Sequence, residues 1–389
     1  DIYEKVISFD SSTIKLMKKL LKSDENMILR KVFTYELTKK LQFWRREHAP
    51  IEGDWKTVLC ERYEEQSKYL NQFSYTLNSL FAIVNQLIDN PALSNMQIEN
   101  VWFSLGATIN RLSRNLLLLF KIDDLCDSII NNSLANNHKA VVVIDSTFSS
   151  IINKVIAFQN KYKIQENTSL EDDDVETDSE EFDEKLANSD YKLNFQQILL
   201  YIIDEVIGNV IEEHKPIIDQ EIITAFEQLK DSTILFEPLQ ISPIDMIIQN
   251  LAKHGIKANE ISGRTIYINE EGKVTKLKKR PKPHLVAEFN NGEVDVTILT
   301  RAGASGLSLH ASAAFKDQRI RDLYELEINT RSTYRLQFIG RVNRKNQVAQ
   351  PEFYTVVTKL AFEQRILNME QEKLKKLQSR KKLYNFCEK

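Results

Sequence analysis

Cysteine is scarce in this sequence, and long apolar runs are absent. The 389 residues include three cysteines, Cys60, Cys126 and Cys387, and no pair has the spacing of a metal or redox motif. This usage suits a reducing compartment, so we expect an intracellular protein of the cytoplasm or nucleus. The longest apolar runs, such as Leu116–Phe120, are far shorter than a membrane span, and we expect no membrane partner.

Several signatures of catalysis and ligand binding are also missing. No Gly-x-x-x-x-Gly-Lys-Ser/Thr sequence occurs, which excludes a P-loop within these 389 residues. The histidines are isolated, which predicts no metal site, and no Ser/His/Asp or Cys/His arrangement can be assembled. Tyr201–Val206 (YIIDEV) imitates a Walker B Asp-Glu, but its flanks are helical and no P-loop precedes it. The chain begins with Asp and shows no signal peptide, so we expect it to be part of a longer polypeptide.

Charge is distributed unevenly along the chain. The formal net charge is only −3, yet Glu171–Glu184 is almost purely acidic, whereas Lys273–Lys282 and Lys373–Lys382 are strongly basic. Because such acidic sequence cannot bury enough apolar surface to fold, residues 166–190 are predicted to form a disordered, solvated insert. A mimic of nucleic acid is the alternative interpretation of this insert.

Apolar periodicity divides the chain into two kinds of sequence. Residues 1–130 have apolar residues at three- and four-residue spacing, which predicts a domain that is helical throughout. Ala140–Ile144 is instead a short β-branched run, typical of a strand buried on both faces of a parallel sheet. Residues 131–165 are therefore predicted to begin an α/β domain, and residues 191–230 to form a helical insertion in it. The clearest helical stretches before this change are Ile14–Leu21, Leu29–Trp44, Tyr69–Ile88 and Val101–Phe120.

Residues 231–389, the remainder of the α/β domain, alternate between helix and strand signals. The alternation predicts a parallel sheet with right-handed crossovers and flanking helices. The predicted elements are helix Ser242–His254, hairpin Thr265–Leu277 with Gly272 at its turn, helix His284–Phe289, strand Val294–Leu299, strand Asp322–Ile328, helix Thr330–Gln347, strand Phe353–Thr358 and helix Leu360–Leu383.

A polar stripe lies in the predicted helix Thr330–Gln347. Gln337, Arg341 and Arg344 are spaced i, i+4 and i+7, so their side chains would share one helix face. Two guanidinium groups cannot pair with each other, which favours an anion as their ligand. Gly340 lies on this helix too, and a glycine there costs about 1 kcal/mol and is seldom placed without a reason. The alternative is an ordinary helix with Arg–carboxylate pairs on its surface.

A loop of small residues follows the predicted strand Val294–Leu299. Parallel sheets bind ligands at the carboxyl ends of their strands, and small residues let the backbone approach a phosphate or a sugar oxygen. A glycine-rich turn after a strand is common. The loop therefore indicates a phosphate site only together with the polar stripe some thirty residues later. The basic segment Lys276–Lys282 is a phosphate-contacting loop or, equally well, a solvated one.

These segments resemble motifs of superfamily 2 helicases and translocases. Gln-x-x-Gly-Arg-x-x-Arg at residues 337–344 resembles motif VI, Thr300–Leu309 resembles motif V of the Swi/Snf-type ATPases, and Ala140–Ile144 matches the strand that carries motif IV. More narrowly, several segments are similar to the C-terminal helicase domain of the strawberry-notch family. They are Ala302–His310 (AGASGLSLH), Gln337–Gln347 (QFIGRVNRKNQ), Ala361–Arg365 (AFEQR) and Ile261–Arg264 (ISGR). Asn343 departs from the Thr or Gly that is usual at its position in related motifs. His310 stands where the family often has Gln.

The resemblance implies a second RecA-like domain of P-loop NTPase type, preceded by an all-helical region. Its activity would be ATP hydrolysis coupled to movement along DNA or RNA. Arg344 would be the arginine finger, Arg341 its companion on the γ-phosphate, and Gln337 would orient the attacking water. ATP and Mg²⁺ would be held mainly by a first RecA-like domain, supplied upstream in a longer protein or by another chain.

The resemblance also assigns binding roles to other residues. Nucleotide contacts would come from the small residues Gly303, Ser305, Gly306 and Gly340. Nucleic-acid contacts would come from Thr300, Arg301, Ser146, Thr147, Lys278, Lys279 and Arg280. The alternative function is a non-catalytic RecA-like scaffold that uses the acidic insert and the helical region as docking surfaces.

Overall fold

The structure is a computed structural model. It describes residues 55–62, 67–91, 93, 95–145, 148, 151–156, 192–236, 239–301, 303, 306–328, 332–361, 363–370 and 372. The chain divides into two compact units, Ile51–Leu367 and a second made of Asp1–Pro50 with Asn368–Lys389. The fold described below is that of the first unit. The acidic segment 166–190 and the predicted helices Ile14–Leu21 and Leu29–Trp44 lie outside the described residues.

A six-stranded parallel sheet forms the centre of the unit. Its strand order is β1-β8-β7-β2-β6-β3, and every neighbouring pair is parallel. The strands are β1 (Lys56–Cys60), β2 (Lys139–Ile144), β3 (Ala258–Ile261), β6 (Val296–Thr300), β7 (Arg321–Glu325) and β8 (Glu352–Thr358), and a separate antiparallel hairpin contains β4 (Ile266–Ile268) and β5 (Val274–Lys276).

Helices flank the sheet, as the strand–helix alternation predicts. The described helices are α1 (Ser67–Asp89), α2 (Asn95–Phe120), α3 (Ile122–Ser128), α4 (Phe195–Ile203), α5 (Asn209–His214), α6 (Gln220–Ile234), α7 (Pro243–Lys253), α8 (Lys282–Asn291) and α9 (Ser332–Val342). Residues 151–156 are also helical. None of the helices in the described part of the chain has the length and apolarity needed to span a bilayer.

The central strand β2 shows why both faces of the sheet are covered. All six of its residues are buried. Val142 and Ile144 belong to one apolar cluster, whereas Val141 and Val143 belong to another. Because successive side chains of a strand point to opposite faces, two clusters on one strand require packing on both sides of the sheet. The predicted fold class, an α/β parallel sheet with flanking helices, is confirmed.

Several smaller predictions are also confirmed. Tyr69–Ile88 lies within α1 and Val101–Phe120 within α2. Ser242 caps α7 by accepting the amide of Asp245, with Pro243 in the first turn. Gly272 takes a φ of 80° at the hairpin turn. Tyr201–Val206 is helical, as its flanks indicate, because α4 continues into the π-helical turn Asp204–Gly208.

The prediction that residues 1–130 are helical throughout is wrong at Lys56–Cys60. These residues form β1, which pairs with β8 at the edge of the sheet. Thr57 and Val58 suit a strand, and β8 supplies the backbone partners that the local sequence cannot reveal. Trp55 fixes the start of β1 by stacking on Phe353, with ring centroids 5.1 Å apart.

The predicted helix Thr330–Gln347 ends earlier than expected. Its described residues are helical only to Val342, so Arg344 lies beyond the helix and not on the predicted helical face. The backbone N–H of Arg344 donates to Oε1 of Gln347 at 2.9 Å, a bond that replaces the next helical one. Asn346 then takes a φ of 63°, which turns the chain toward β8.

Candidate nucleotide-binding site

The motif V loop begins at the carboxyl end of β6, where Thr300 is buried. The backbone N–H of Gly303 donates to the carbonyl of Thr300 at 3.0 Å and closes a tight turn. A Cβ on Gly303 would lie 1.8 Å from the carbonyl oxygen of Ile261, at the end of β3. Glycine is therefore required at 303 because two backbone segments touch there. That requirement exists without any ligand, and the predicted role of Gly303 toward a phosphate stays a prediction.

Gly306, further along the loop, differs from Gly303. Gly306 has a φ of 78°, and a Cβ there would meet nothing within 4 Å. The backbone at Gly306 thus lies beside open space, as a residue that contacts a ligand requires. Ser305 lies outside the described residues, as do Ser146 and Thr147.

Arg301, the first residue of the loop, is held by an aromatic ring. Its guanidinium lies 3.9 Å from the centroid of Tyr334 in α9. A planar guanidinium stacks well on the face of an aromatic ring. Its N–H groups lie at the edge of that plane and can still donate hydrogen bonds. This contact joins the start of motif V to the start of motif VI.

The motif VI arginines converge on one atom of the motif V segment. Nη1 of Arg341 donates to the carbonyl oxygen of Leu307 at 3.3 Å, and Nη2 of Arg344 donates to the same oxygen at 2.7 Å. Nε of Arg344 also donates to the carbonyl of Gly340 at 3.2 Å. The backbone N–H of Leu309 donates to the carbonyl of Arg341. The two motifs are thus one hydrogen-bonded unit.

Gln337 behaves differently from the two arginines. Its side chain is exposed, whereas Arg341 and Arg344 are half-buried. Helical spacing predicts that all three residues share one face. Because α9 ends at Val342, the side chain of Arg344 instead folds back over the last helical turn. The structure therefore brings Arg341 and Arg344 together at Leu307. Sequence analysis missed Leu307 because a backbone carbonyl leaves no signal in the residue type.

Arg335 anchors the motif VI helix to the sheet and was not predicted from the sequence. Its side chain is buried, and Nη2 lies 2.8 Å from the carboxylate of Glu325 in β7. Its guanidinium also stacks on Trp55, 3.9 Å from the ring centroid. Together these contacts fix the rotation of α9, which sets the direction in which Arg341 points.

His310 closes the motif V segment next to the arginines. Its ring packs edge-on against Phe315. Burial, together with the nearby guanidinium groups of Arg344 and Arg321, lowers the pKa of His310. A neutral imidazole beside two arginines adds no further positive charge to this region.

The basic segment after β5 is mostly solvent-facing. Lys278, Lys279 and Arg280 are all exposed. Arg280 forms an ion pair with Glu288 of α8, so it has a partner within the fold. The predicted contact of these three residues with nucleic acid stays a prediction.

Comparison with known proteins finds similarity to one family within the second half of the chain. Residues 242–381 match the family model described as the C-terminal domain on strawberry notch homologues. The chain carries a strawberry-notch-like helicase C-terminal domain. Human strawberry notch homolog 1 is 28% identical over 177 residues, which cover 41% of this chain and 13% of that protein. The Drosophila melanogaster protein strawberry notch is 35% identical over 89 residues, which cover 23% of this chain and 5% of that protein.

The matches concern only a part of each relative. The shared segment spans about one seventh or less of the strawberry notch proteins it matches. A solved structure, the C-terminal part of the Fun30 ATPase domain, is 12% identical with a TM-score of 0.27, covering 60% of this chain and 89% of that one.

Two short motifs shared with the strawberry-notch pattern have internal structural roles here. In ISGR, the buried Arg264 binds Asp245 and Glu260 through its guanidinium. Burial alone would lower its pKa, but hydrogen bonds to the Glu260 and Asp245 carboxylates raise it above the usual range. In AFEQR, the carboxylate of Glu363 accepts from the backbone N–H and the hydroxyl of Thr358, both at 2.7 Å.

Proposed function

We propose that this chain supplies the second RecA-like domain of an ATP-dependent helicase or translocase that acts on DNA or RNA. The observation that carries the proposal is the convergence of Arg341 and Arg344 on the carbonyl oxygen of Leu307. Two guanidinium groups brought to one neutral oxygen form a donor set suited to an anion. A phosphate oxygen would replace that carbonyl with charge-assisted, bidentate bonds, which are stronger than bonds to a neutral acceptor.

The geometry of the pair supports a different proposed role for each arginine. Arg344 lies beyond the helix and is the better placed of the two to swing toward the γ-phosphate as an arginine finger. Arg341 remains on the last helical turn and supports the same phosphate, while the exposed Gln337 orients the attacking water. The P-loop and the ligands of Mg²⁺ come from a first RecA-like domain, because these 389 residues contain no P-loop.

The nucleic-acid surface is proposed from the motif V side of the sheet. Thr300 and Arg301 follow β6 at the carboxyl edge, and Lys278, Lys279 and Arg280 add exposed positive charge after β5. Arg301, stacked on Tyr334 of α9, links a contact on the nucleic-acid backbone to the helix that carries Arg341. Movement of α9 on ATP binding would thereby change the contact between Arg301 and the nucleic-acid phosphates.

The test uses the complete assembly that includes the P-loop-bearing domain. Arg344→Ala should lower kcat for ATP by about 10³-fold or more and leave nucleotide affinity nearly unchanged, because a finger stabilises charge that develops only in the transition state. Arg344→Lys should rescue little, since a single ammonium cannot reproduce the planar fork.

Arg62→Ala is the matched control, because Arg62 forms only half-exposed ion pairs with Asp127 and Asp123. It should leave turnover unchanged. If both Arg344→Ala and Arg341→Ala hydrolyse ATP at the wild-type rate, motif VI is not catalytic. The non-catalytic scaffold would then account better for this domain.

A further inference from the structure

Three polar side chains from distant parts of the sequence meet at the amino edge of the sheet. His138 directly precedes β2, Asp322 is the second residue of β7, and Glu352 is the first residue of β8. Their ligand atoms, an imidazole nitrogen and two carboxylate oxygens, all lie within 4.8 Å of one another. This edge is opposite to the carboxyl edge at which motif V begins.

The strand register explains why the three residues meet. β8, β7 and β2 are adjacent in the sheet, and Asp322 is the register partner of both Glu352 and Ala140. Register partners in a parallel pair project to the same face. His138 is two residues before Ala140 and continues that face. The cluster is thus built on three neighbouring strands of the central sheet.

The three residues also have the chemistry of a cation site. The side chain of Asp322 is fully buried, and among the described residues only His138 lies within ion-pair distance of it, at 3.1 Å. A buried carboxylate is costly unless a cation or several donors compensate it. A second carboxylate, that of Glu352, faces the same space, and its ion-pair partner is the half-exposed Lys56.

Hydrogen bonds hold both carboxylates in place. Oδ2 of Asp322 accepts from the hydroxyl of Ser133 at 2.6 Å, and Ser133 in turn contacts the Tyr324 hydroxyl at 2.8 Å. Oε2 of Glu352 accepts from the Tyr354 hydroxyl at 2.7 Å. Such outer contacts orient the ligands of protein metal sites. Oδ1 of Asp322 takes no part in the bond to Ser133 and lies 3.2 Å from Nδ1 of His138.

We propose that His138, Asp322 and Glu352 bind a divalent first-row transition-metal cation, with Zn²⁺ as the preferred ion. One imidazole nitrogen and two carboxylate oxygens are a ligand set that Zn²⁺, Co²⁺ and Mn²⁺ accept. Bonds of about 2.0–2.2 Å place tetrahedral ligand atoms roughly 3.3–3.6 Å apart. The three ligand atoms, which lie within 4.8 Å of one another, would therefore close in around the cation on binding. A polar pocket lined by Asn132, Asn136 and Lys56 adjoins the cluster and leaves room for water as the remaining ligand.

Lys56 gives the proposal a specific consequence. Its ammonium lies 2.6 Å from Oε2 of Glu352, and its side chain is 54% exposed. A cation bound beside Glu352 would repel this ammonium, so Lys56 competes with the metal. Removing the lysine charge should therefore tighten metal binding, which a purely structural ion-pair network would not do.

The test is a metal titration of the chelator-treated full chain with Zn²⁺, and with Co²⁺ to follow its visible absorption. The wild-type chain should bind one equivalent and melt at a higher temperature with the metal. His138→Gln and Glu352→Gln should each weaken binding by more than about tenfold and abolish the metal-dependent rise in Tm. Lys56→Met should strengthen binding.

His254→Gln is the matched control, because His254 is an exposed histidine at the end of α7, and it should bind like the wild type. Glu352 is one-third exposed, so Glu352→Gln is expected to fold even if changes at the buried residues do not. The proposal is overturned if the wild-type chain binds no stoichiometric metal at micromolar concentrations. It is also overturned if His138→Gln and Glu352→Gln bind metal as tightly as the wild type. Neither result depends on ATP turnover.

Discussion

At the scale of single residues, buried charges hold distant segments together. Arg264 donates to Asp245 at the start of α7 and to Glu260 in β3. Asp245 also accepts from the backbone N–H of Ile268 in β4 at 2.9 Å. One guanidinium therefore links a helix, the edge strand of the sheet and the small hairpin.

Replacing Arg264 by alanine should destabilise the fold strongly. The change leaves the fully buried carboxylate of Asp245 without its cation, and breaking a buried pair in this way costs about 3–5 kcal/mol. Urea unfolding of the two proteins measures the difference. Arg280→Ala is the control, because it removes a half-exposed pair with Glu288 worth about 0–1 kcal/mol. Equal losses for the two variants would show that burial does not decide the value of these pairs.

The sequence identified some residues for a reason different from the one the structure shows. Gly303 was predicted from its small size as a phosphate neighbour, and its small size is needed against Ile261. Arg341 and Arg344 were predicted as a pair, and they do converge. They meet at Leu307, however, whose contribution is a backbone oxygen. Residue type reports which side chains carry charge, but it cannot report which backbone atom receives them.

At the scale of elements, strong local signals were predicted well and edge strands were not. β2 is a continuous β-branched run, and its position was correct within one residue. β3 contains the polar residues Asn259 and Glu260, and it was not predicted as a strand. Asn259 is satisfied inside the fold, because it accepts from Thr297 and donates to the carbonyl of Leu285. Partners this far along the chain cannot be read from a local window.

Glu363 and Lys121 hold the carboxyl end of β8 in place. Glu363 accepts two hydrogen bonds from Thr358 and forms a buried ion pair with Lys121. Lys121 in turn donates to the carbonyl oxygens of Leu326 and Val356, at 2.8 and 3.0 Å. This single lysine therefore binds the ends of two adjacent strands as well as the carboxylate.

Glu363→Ala should therefore destabilise the sheet at this end. The change leaves the Lys121 ammonium buried without its carboxylate, for which we expect a loss of about 3–5 kcal/mol in denaturant unfolding. Gln364→Ala removes one neutral bond to the carbonyl of Thr358 and should cost only about 1 kcal/mol. If Glu363→Ala cost no more than Gln364→Ala, the ion pair would not be what fixes this end of β8.

At the scale of the whole molecule, the ion pairs of Asp317 predict how the stability of the fold depends on pH. Asp317 is held by Arg319 and by Lys139, whose ammonium lies 3.0 Å from Oδ2. Burial alone would raise the pKa of Asp317, but these hydrogen bonds and charges lower it well below the ordinary value. A carboxyl with a depressed pKa stabilises the fold above the pKa of the unfolded chain, about 3.9. That stabilisation is lost as the pH falls through the folded value.

The wild-type free energy of unfolding should accordingly fall as the pH is lowered from about 5 toward 2. Asp317→Asn should be less stable at neutral pH and should show a shallower decline on the acid side, as measured by urea unfolding at a series of pH values. Asp231→Asn, which removes an exposed carboxylate of α6, should keep the wild-type slope. An unchanged slope in Asp317→Asn would mean that the acid sensitivity originates elsewhere.

The acidic segment 166–190 determines the charge of the whole chain. It contains twelve acidic residues and one lysine, so its removal changes the formal net charge from −3 to +8. Phosphate contacts dominate non-specific binding to nucleic acid, and nearby negative charge opposes them. Deleting the segment should therefore tighten binding to a random-sequence duplex, with a steeper dependence of log K on log salt concentration.

A second variant, with the twelve acids replaced by serine, keeps the length and should bind as the deletion does. If the serine variant bound like the wild type while the deletion bound more tightly, length and not charge would be responsible. If neither bound more tightly than the wild type, the segment would not oppose nucleic-acid binding at all.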